Sequence, residues 1–186
     1  MLSLPDITHL FTRRGHEQYA GEPVTQLEHA LQTAARAEAA GGDDELVTAG
    51  LLHDLGHLLQ AGGSGENSPT LQGVDDLHQY AALPFLRGLF GPRVLGAIQR
   101  HVDAKRYLCA TVPGYQAALS ADSRRSLKLQ GGVFDAAQAA AFISQPGAAD
   151  AVQLRQWDDL AKVAGETTPP LAHFIKRANR CTIRSA

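Results

Sequence analysis

Three observations predict an all-α fold for this chain. Apolar residues recur three and four apart rather than alternately, Gly and Pro pairs punctuate those stretches, and no segment reads as a convincing strand. The helical spacing places elements near 5–13, 25–40, 44–60, 75–90, 92–107, 115–129, 135–143, 150–164 and 169–180. Leu27, Leu31 and Ala34 form the apolar stripe of the second. Gly41-Gly42 stops it, and Asp43 or Asp44 caps the next. Within 44–60, Val47, Leu51, Leu52, Leu55, Leu58 and Leu59 cover most of the circumference, so that helix is expected to be buried. The run AGGSGENSPTLQG, 61–73, reads as a loop. Pro84 is expected to kink or shorten the helix at 75–90. Gly91-Pro92 marks a tight junction with Pro92 at the first helical position, and Gly131-Gly132 ends a later segment.

At 186 residues the chain is expected to form one domain, 1–186, with its core motifs between 19 and 162. Hydrophobic residues make up 44% and charged residues 19%, a globular composition. A formal net charge of -2 lacks the basic excess of a dedicated nucleic-acid binder. Cys109 and Cys181 have no metal-type spacing and suggest a reducing compartment without a disulfide framework. The start, MLSLPDITHLFTRRG, does not resemble a signal peptide, and no run reaches the ~18 apolar residues of a membrane span. A cytoplasmic protein, with neither a membrane nor a nucleic-acid partner, is the expectation. Oligomeric state is not readable.

Chemistry concentrates at His53-Asp54 in LVTAGLLHDLGHLL. A histidine and a carboxylate inside so apolar a helix are costly unless compensated, and a metal cation is the simplest compensation. On a continuous helix His57 follows one turn later on the face of His53 and Gly50. Other polar residues stand where apolar ones are expected. His29 flanks the stripe of Leu27 and Leu31, His78 shares a face with Ala82 and Phe85, and His101 follows Val94 and Ile98, with Lys105 continuing that stripe. Asp158 aligns with Leu154 and Ala161, whereas Asp159 joins Arg155 and Lys162 on what reads as a wetter side.

Each of these residues alone is explained by hydrogen bonding in a core or by solvation. Together, four histidines and two aspartates on facing helices match the way bundles build dinuclear centres, with Asp54 able to bridge two metals. Imidazole and carboxylate without thiolate suit iron, manganese or zinc, and spacing does not choose among them. A lysine one turn after His101 makes sense if an anion lies between it and the metals. His9, His16 and His173 lack such a setting and read as surface or packing groups.

The pattern His29, His53-Asp54, Asp158 resembles the HD-domain superfamily of helical metal-dependent phosphohydrolases and a few oxygenases. His78 and His101 resemble its dinuclear branch. More narrowly, YAGEPVTQLEHALQTA, LLHDLGH, HVDAKRYL, SLKLQGG and LRQWDD are similar to the HD-domain mixed-valent diiron oxygenases of phosphonate catabolism. The resemblance implies an Fe(II)/Fe(III) pair and O2 as co-substrate, used to cleave the C–P bond of a 1-hydroxyphosphonate. It implies that His29, His53, Asp54 and Asp158 ligate one iron, and that Asp54 bridges to a second held by His78 and His101. By the same resemblance Lys105, Arg155 and Ser123 contact the phosphonate, with Ser126 an alternative to Ser123. His57 then stands beside the substrate, and Tyr19 with Glu22 covers the open coordination position until substrate enters.

Three functions follow from these residues. The first is an oxygenase converting a small organophosphonate of the 2-amino-1-hydroxyethylphosphonate type to glycine and phosphate, or a trimethylated analogue to glycine betaine. The second is an HD phosphohydrolase acting on a nucleotide or small phosphoester, against which the Tyr19/Glu22 segment and LQGG argue. The third is a non-catalytic sensing module, which would not need all six ligand positions intact. Aromatic residues are 6% of the chain, and Tyr19 is the one expected near the pocket entrance, with Tyr107 or Phe134 able to approach. A quaternary ammonium is recognised by several aromatic faces, whereas Glu22 accepts hydrogen bonds from a primary ammonium. A primary amine is therefore expected.

Overall fold

The computed structural model describes residues 1–19, 21–60 and 68–183. Its helices are α1 (Leu4–Arg14), α2 (Gln26–Ala39), α3 (Asp44–Leu52), α4 (Leu55–Leu59), α5 (His78–Ala81), α6 (Leu83–Leu86), α7 (Pro92–Thr111), α8 (Tyr115–Ala118), α9 (Ala121–Leu129), α10 (Ala136–Ile143), α11 (Ala148–Leu160) and α12 (Leu171–Arg180). Among the described residues β pairing is limited to isolated bridges such as Gln18 with Thr25. The fold is all-α, as the periodicity predicts. Among the described residues no helix is long and apolar enough to cross a membrane.

Local sequence sets the helix starts. Ser3 with Asp6, Thr25 with Glu28 and Asp135 with Gln138 each form a reciprocal capping box, satisfying two backbone N–H groups apiece. Asp43, rather than Asp44, caps α3 by accepting from the Leu46 N–H. Gly41, at φ +79°, ends the preceding stretch in the left-handed region. Gly91 and Pro92 open α7 as expected.

Helices α2, α3, α7 and α11 pack on one another, and α12 closes over α3. Their shared core includes Ala34, Leu51, Leu52, Ile98, Leu154 and Phe174, each buried almost completely. Burying one such leucine, isoleucine or phenylalanine contributes roughly 1.5–3 kcal/mol. A smaller cluster of Ala104, Phe142, Ala148 and Ala151 joins α7, α10 and α11. Gly50 lets α3 approach α2 closely, since a Cβ there would lie 3.3 Å from the Ala34 Cα.

Five expected boundaries are corrected. The helix expected at 44–60 breaks at His53-Asp54, where α3 ends and Asp54 (φ -103°, ψ 12°) leaves the helical conformation before α4. The helix at 75–90 is reduced to α5 and α6, with Pro84 in the first turn of α6, where its missing N–H costs nothing. The segment 115–129 divides into α8 and α9, and Ser120 caps the latter. Helix α11 ends at Leu160 rather than 164, and α7 runs on to Thr111. Of the loop expected at 61–73, residues 61–67 lie outside the described residues, and 68–73 are turn.

Candidate metal centre and anion pocket

Helix α2 supplies His29, the α3–α4 break His53 and Asp54, α5 His78, α7 His101 and α11 Asp158. All six are buried. The break matters. It frees Asp54 from the helical direction, so that its carboxylate sits between two imidazole pairs. Asp54 Oδ2 lies 3.5 Å from His29 Nε2 and 3.4 Å from His53 Nε2. Its Oδ1 lies 3.4 Å from His78 Nε2 and 3.5 Å from His101 Nε2. Asp158 Oδ1 adds to the first pair, 3.3 Å from His29 Nε2 and 4.0 Å from His53 Nε2.

The tautomers follow from the opposite ring nitrogens. His29 Nδ1 faces the Ala161 carbonyl at 2.8 Å, His53 Nδ1 the Gly50 carbonyl at 2.9 Å, and His101 Nδ1 the Ile98 carbonyl at 2.7 Å. His78 Nδ1 faces Asp76 Oδ1 at 2.8 Å. Each Nδ1 therefore carries the proton, and each Nε2 turns its lone pair inward, an arrangement typical of metal-binding imidazoles. Those Nε2 atoms meet at 3.2 Å for His29 with His53 and at 3.1 Å for His78 with His101. Two lone pairs at that separation repel unless a cation stands beside them.

The carboxylates make the same demand. Asp54 Oδ1 and Asp158 Oδ1 are buried without a hydrogen-bond partner. Burial opposes charge on both, yet the imidazoles around Asp54, and Arg155 beside Asp158, hold them well below the usual carboxylate range. Burial pushes His53 and His101 down and keeps them neutral. It opposes charge on His29 too, but the Asp158 and Asp54 carboxylates, 3.3 and 3.5 Å from its Nε2, outweigh it and raise that residue to about 9. Without metal, the site attracts a proton in a metal's place. Three donor groups could hold a cation: His29, His53 and Asp158; Asp54, His78 and His101; and His57, Asp76 and His78, which shares His78 with the second.

Tyr19 donates its hydroxyl to Asp54 Oδ2 at 2.7 Å, and its ring stacks on His29 with centroids 4.0 Å apart. His57 stands on the other side, stacked on His78 at 4.2 Å and with Nδ1 2.7 Å from Asp76 Oδ2. The helix break thus changes its expected direction: it joins the pocket wall, its Nε2 3.9 Å from Asp54 Oδ2.

Beside the imidazoles three cations surround two hydroxyls. Lys105, 2% exposed, donates to Ser126 Oγ at 2.7 Å. Arg155 donates to Ser123 Oγ at 3.3 Å and Lys162 to the same oxygen at 3.2 Å. Ser123 and Ser126 thus both belong to the cluster. Arg155 is fixed by Asp158 at 2.8 Å and by Asp159, which also accepts from Tyr115. Burial, with Arg155 next in effect, lowers Lys105 to about 7. Such a concentration of positive charge is what a phosphonate or phosphate would neutralise. Tyr19, Glu22, His57, Lys105, Arg155 and Lys162 line one pocket that reaches the imidazole cluster.

The wetter side assigned to Arg155, Asp159 and Lys162 is corrected here. Arg155 is 4% exposed, and the chain turns at Ala161 (φ -90°, ψ 46°), which brings Lys162 into the pocket. Asp76, which joins His57 and His78, carries little signal in the sequence: a carboxylate two residues before His78 reads equally well as a helix start. Tyr107 and Phe134 pack on Phe142 with centroids 5.4 and 5.9 Å apart and do not line the pocket. His9 and His16 are exposed, and His173 pairs with Glu38 at 2.9 Å, in keeping with surface and packing roles.

Residues 27–182 match the HD domain family. The chain belongs to that family. This HD-domain chain is 40% identical over 171 residues to a protein of Leisingera caerulea named 1-hydroxy-2-(trimethylamino)ethylphosphonate dioxygenase (glycine-betaine-forming), an alignment covering 92% of this chain and 86% of that protein. It is also 40% identical over 177 residues to the hydroxymethylphosphonate dioxygenase of Gimesia maris (strain ATCC 29201 / DSM 8797 / 534-30), covering 94% of this chain and 87% of that protein.

Proposed function

We propose that this HD-domain protein is a diiron oxygenase that uses O2 to cleave the C–P bond of a 1-hydroxyphosphonate, releasing phosphate. The observation that carries the proposal is the adjacency of two metal-fitting clusters, one containing Asp54 and the other with its imidazoles 3.4–3.5 Å from Asp54 Oδ2, to a cage of three cations in one pocket. The names of both relatives agree with it. His29, His53, Asp54 and Asp158 would hold one iron, and Asp54, His78 and His101 the other, as an Fe(II)/Fe(III) pair. That pair would supply the O2 and redox chemistry when bound.

The protein's own groups do the rest. Lys105 and Arg155, with Ser123 and Ser126, clamp the phosphonate and so fix C1 against the metals. His57 donates a hydrogen bond from Nδ1–H to Asp76 Oδ2 and turns Nε2 into the pocket, placed to accept the proton of the substrate's 1-hydroxyl. Tyr19 covers Asp54 until substrate enters, and Glu22 accepts N–H bonds from a primary ammonium. Tyr19 is the one Phe, Tyr or Trp side chain lining the pocket among the described residues, and His29 occupies one of its faces. That leaves no aromatic cage for a trimethylammonium group. The preferred substrate is accordingly 2-amino-1-hydroxyethylphosphonate, with glycine as the second product.

The test is anaerobic iron loading followed by O2 admission with this substrate, hydroxymethylphosphonate and the trimethylated compound. The expected result is one phosphate per O2 consumed, the highest kcat/KM for the primary amine, and an electron paramagnetic resonance signal of a coupled iron pair. A metal-dependent HD phosphohydrolase is the alternative use of the same ligand set. Phosphate release from phosphoesters without O2 uptake would establish it and overturn the oxygenase.

A further inference from the structure

Lys162 touches both halves of the pocket. Its Nζ lies 3.2 Å from Ser123 Oγ, in the anion cage, and 3.6 Å from Glu22 Oε1, in the segment that carries Tyr19. It also lies 5.9 Å from the centroid of the Tyr19 ring. Glu22 Oε1 is buried and has no hydrogen-bond partner, so the ammonium of Lys162, too distant for a hydrogen bond, is its countercharge. The Lys162 and Glu22 side chains are each only 12% exposed. Neither charge is therefore well solvated, and each depends on the other.

We propose that Lys162 couples anion binding to release of the Glu22 and Tyr19 side chains. This rests on the phosphonate reading of the cage and on the covering role that the resemblance gives Tyr19 and Glu22, and adds Lys162 as the link between them. A phosphonate at Ser123 presents up to two negative charges and three oxygens to an ammonium already in contact with that hydroxyl. Lys162 turns to it and joins Lys105 and Arg155. Glu22 then stands buried without a countercharge, a costly state, and leaves its place for solvent or for the substrate's own ammonium. Tyr19, three residues earlier, is drawn from Asp54 Oδ2 by the same movement. Substrate thus opens the metal-facing side only after its anion is seated, which keeps that side covered in the free protein.

The experiment uses the full chain loaded with zinc, which supports no oxidation, and inorganic phosphate as the probe. The four tyrosines carry 3-fluorotyrosine, and Tyr19→Phe assigns the Tyr19 resonance. Calorimetry measures phosphate affinity, and 19F spectra report whether Tyr19 leaves its stack on His29. In the wild type, saturating phosphate should shift the Tyr19 signal to a solvent-exposed position. Lys162→Gln should weaken phosphate by about tenfold or more and leave the Tyr19 signal insensitive to it. Glu22→Gln should do the opposite to affinity and raise it severalfold, because no carboxylate competes for Lys162. Opposite signs at the two ends of one ion pair are not produced by a merely structural bridge, which weakens binding from either side. If Lys162→Gln does not fold, the sign of the Glu22→Gln effect alone decides. Wild-type phosphate binding that leaves Tyr19 in place, or losses of affinity in both variants, overturns the coupling without touching the oxygenase. Absence of any phosphate binding overturns the anion cage and the coupling together.

Discussion

Gly56 lies directly against the backbone of His78. A Cβ added to Gly56 would stand 2.8 Å from the His78 carbonyl carbon and 2.9 Å from its Cα, distances at which backbone must move. The glycine of HDLGH thereby lets α4 seat α5, and with it one imidazole of the second cluster. Gly56→Ala is expected to cost about 1–3 kcal/mol through overpacking. It should lower metal content from close to two per chain toward one while circular dichroism stays helical. Full loading of the variant would show that α5 can shift without losing the site.

Asp76 binds His78 through Oδ1 and His57 through Oδ2, at 2.8 and 2.7 Å. Asp76→Ala should weaken metal at the second cluster by about 10- to 100-fold, since an orienting partner fixes both tautomer and ring angle. Competition with a chelator measures this directly. Metal at the first cluster should be unaffected, because His29, His53 and Asp158 do not touch Asp76.

Two metals per chain are expected when iron is supplied, because His78 and His101 meet at 3.1 Å with both lone pairs inward. His101→Ala should empty one site and leave the helical fold intact. A wild type that is fully active with a single metal would remove the dinuclear centre from the proposal.

Lys105→Ala should weaken phosphonate by roughly 1.5–3 kcal/mol, or about one to two decades, and spare metal binding. The pH dependence has a definite sign. Lys105 titrates at about 7 in the ligand-free fold, against 10.5 in a model peptide. The Lys105 contribution to affinity should therefore fall as pH rises through about 7. Between about 7 and 10.5 the unfolded chain binds the extra proton, so the ligand-free fold gains stability as pH rises across that window. Burial does most to set this value; of the charged neighbours, Arg155 and Lys162 lower it and Asp158 and Asp159 raise it. Calorimetric titration of wild type and Lys105→Ala at several pH values checks both claims, and the variant should lose the affinity slope assigned to Lys105.

Neighbouring residues alone fix the helical class, a cap at Asp43 or Asp44, the Gly91-Pro92 start of α7, and the inward direction of His29, His101, Lys105 and Asp158. Those are properties of one helix at a time: a 3.6-residue period and a local cap are written in neighbouring residues. What the sequence alone could not contain was every feature that depends on where a helix stops. Periodicity carried one helix through His53-Asp54 because the leucines continue on both sides. The break there is decided by the neighbours: Asp54 must face four imidazoles from four segments, and α4 must pack on α5 through Gly56. The same holds at Ala161, where the carbonyl accepts from His29 and the chain turns Lys162 inward, so that a residue read as solvated becomes part of the pocket. Asp76 gained its two histidine partners only when α4 and α5 met. Which residues face inward was a matter of period; which of them meet, and through which atoms, was decided by electrostatic and steric pairing across distant segments, and only the tertiary structure holds that.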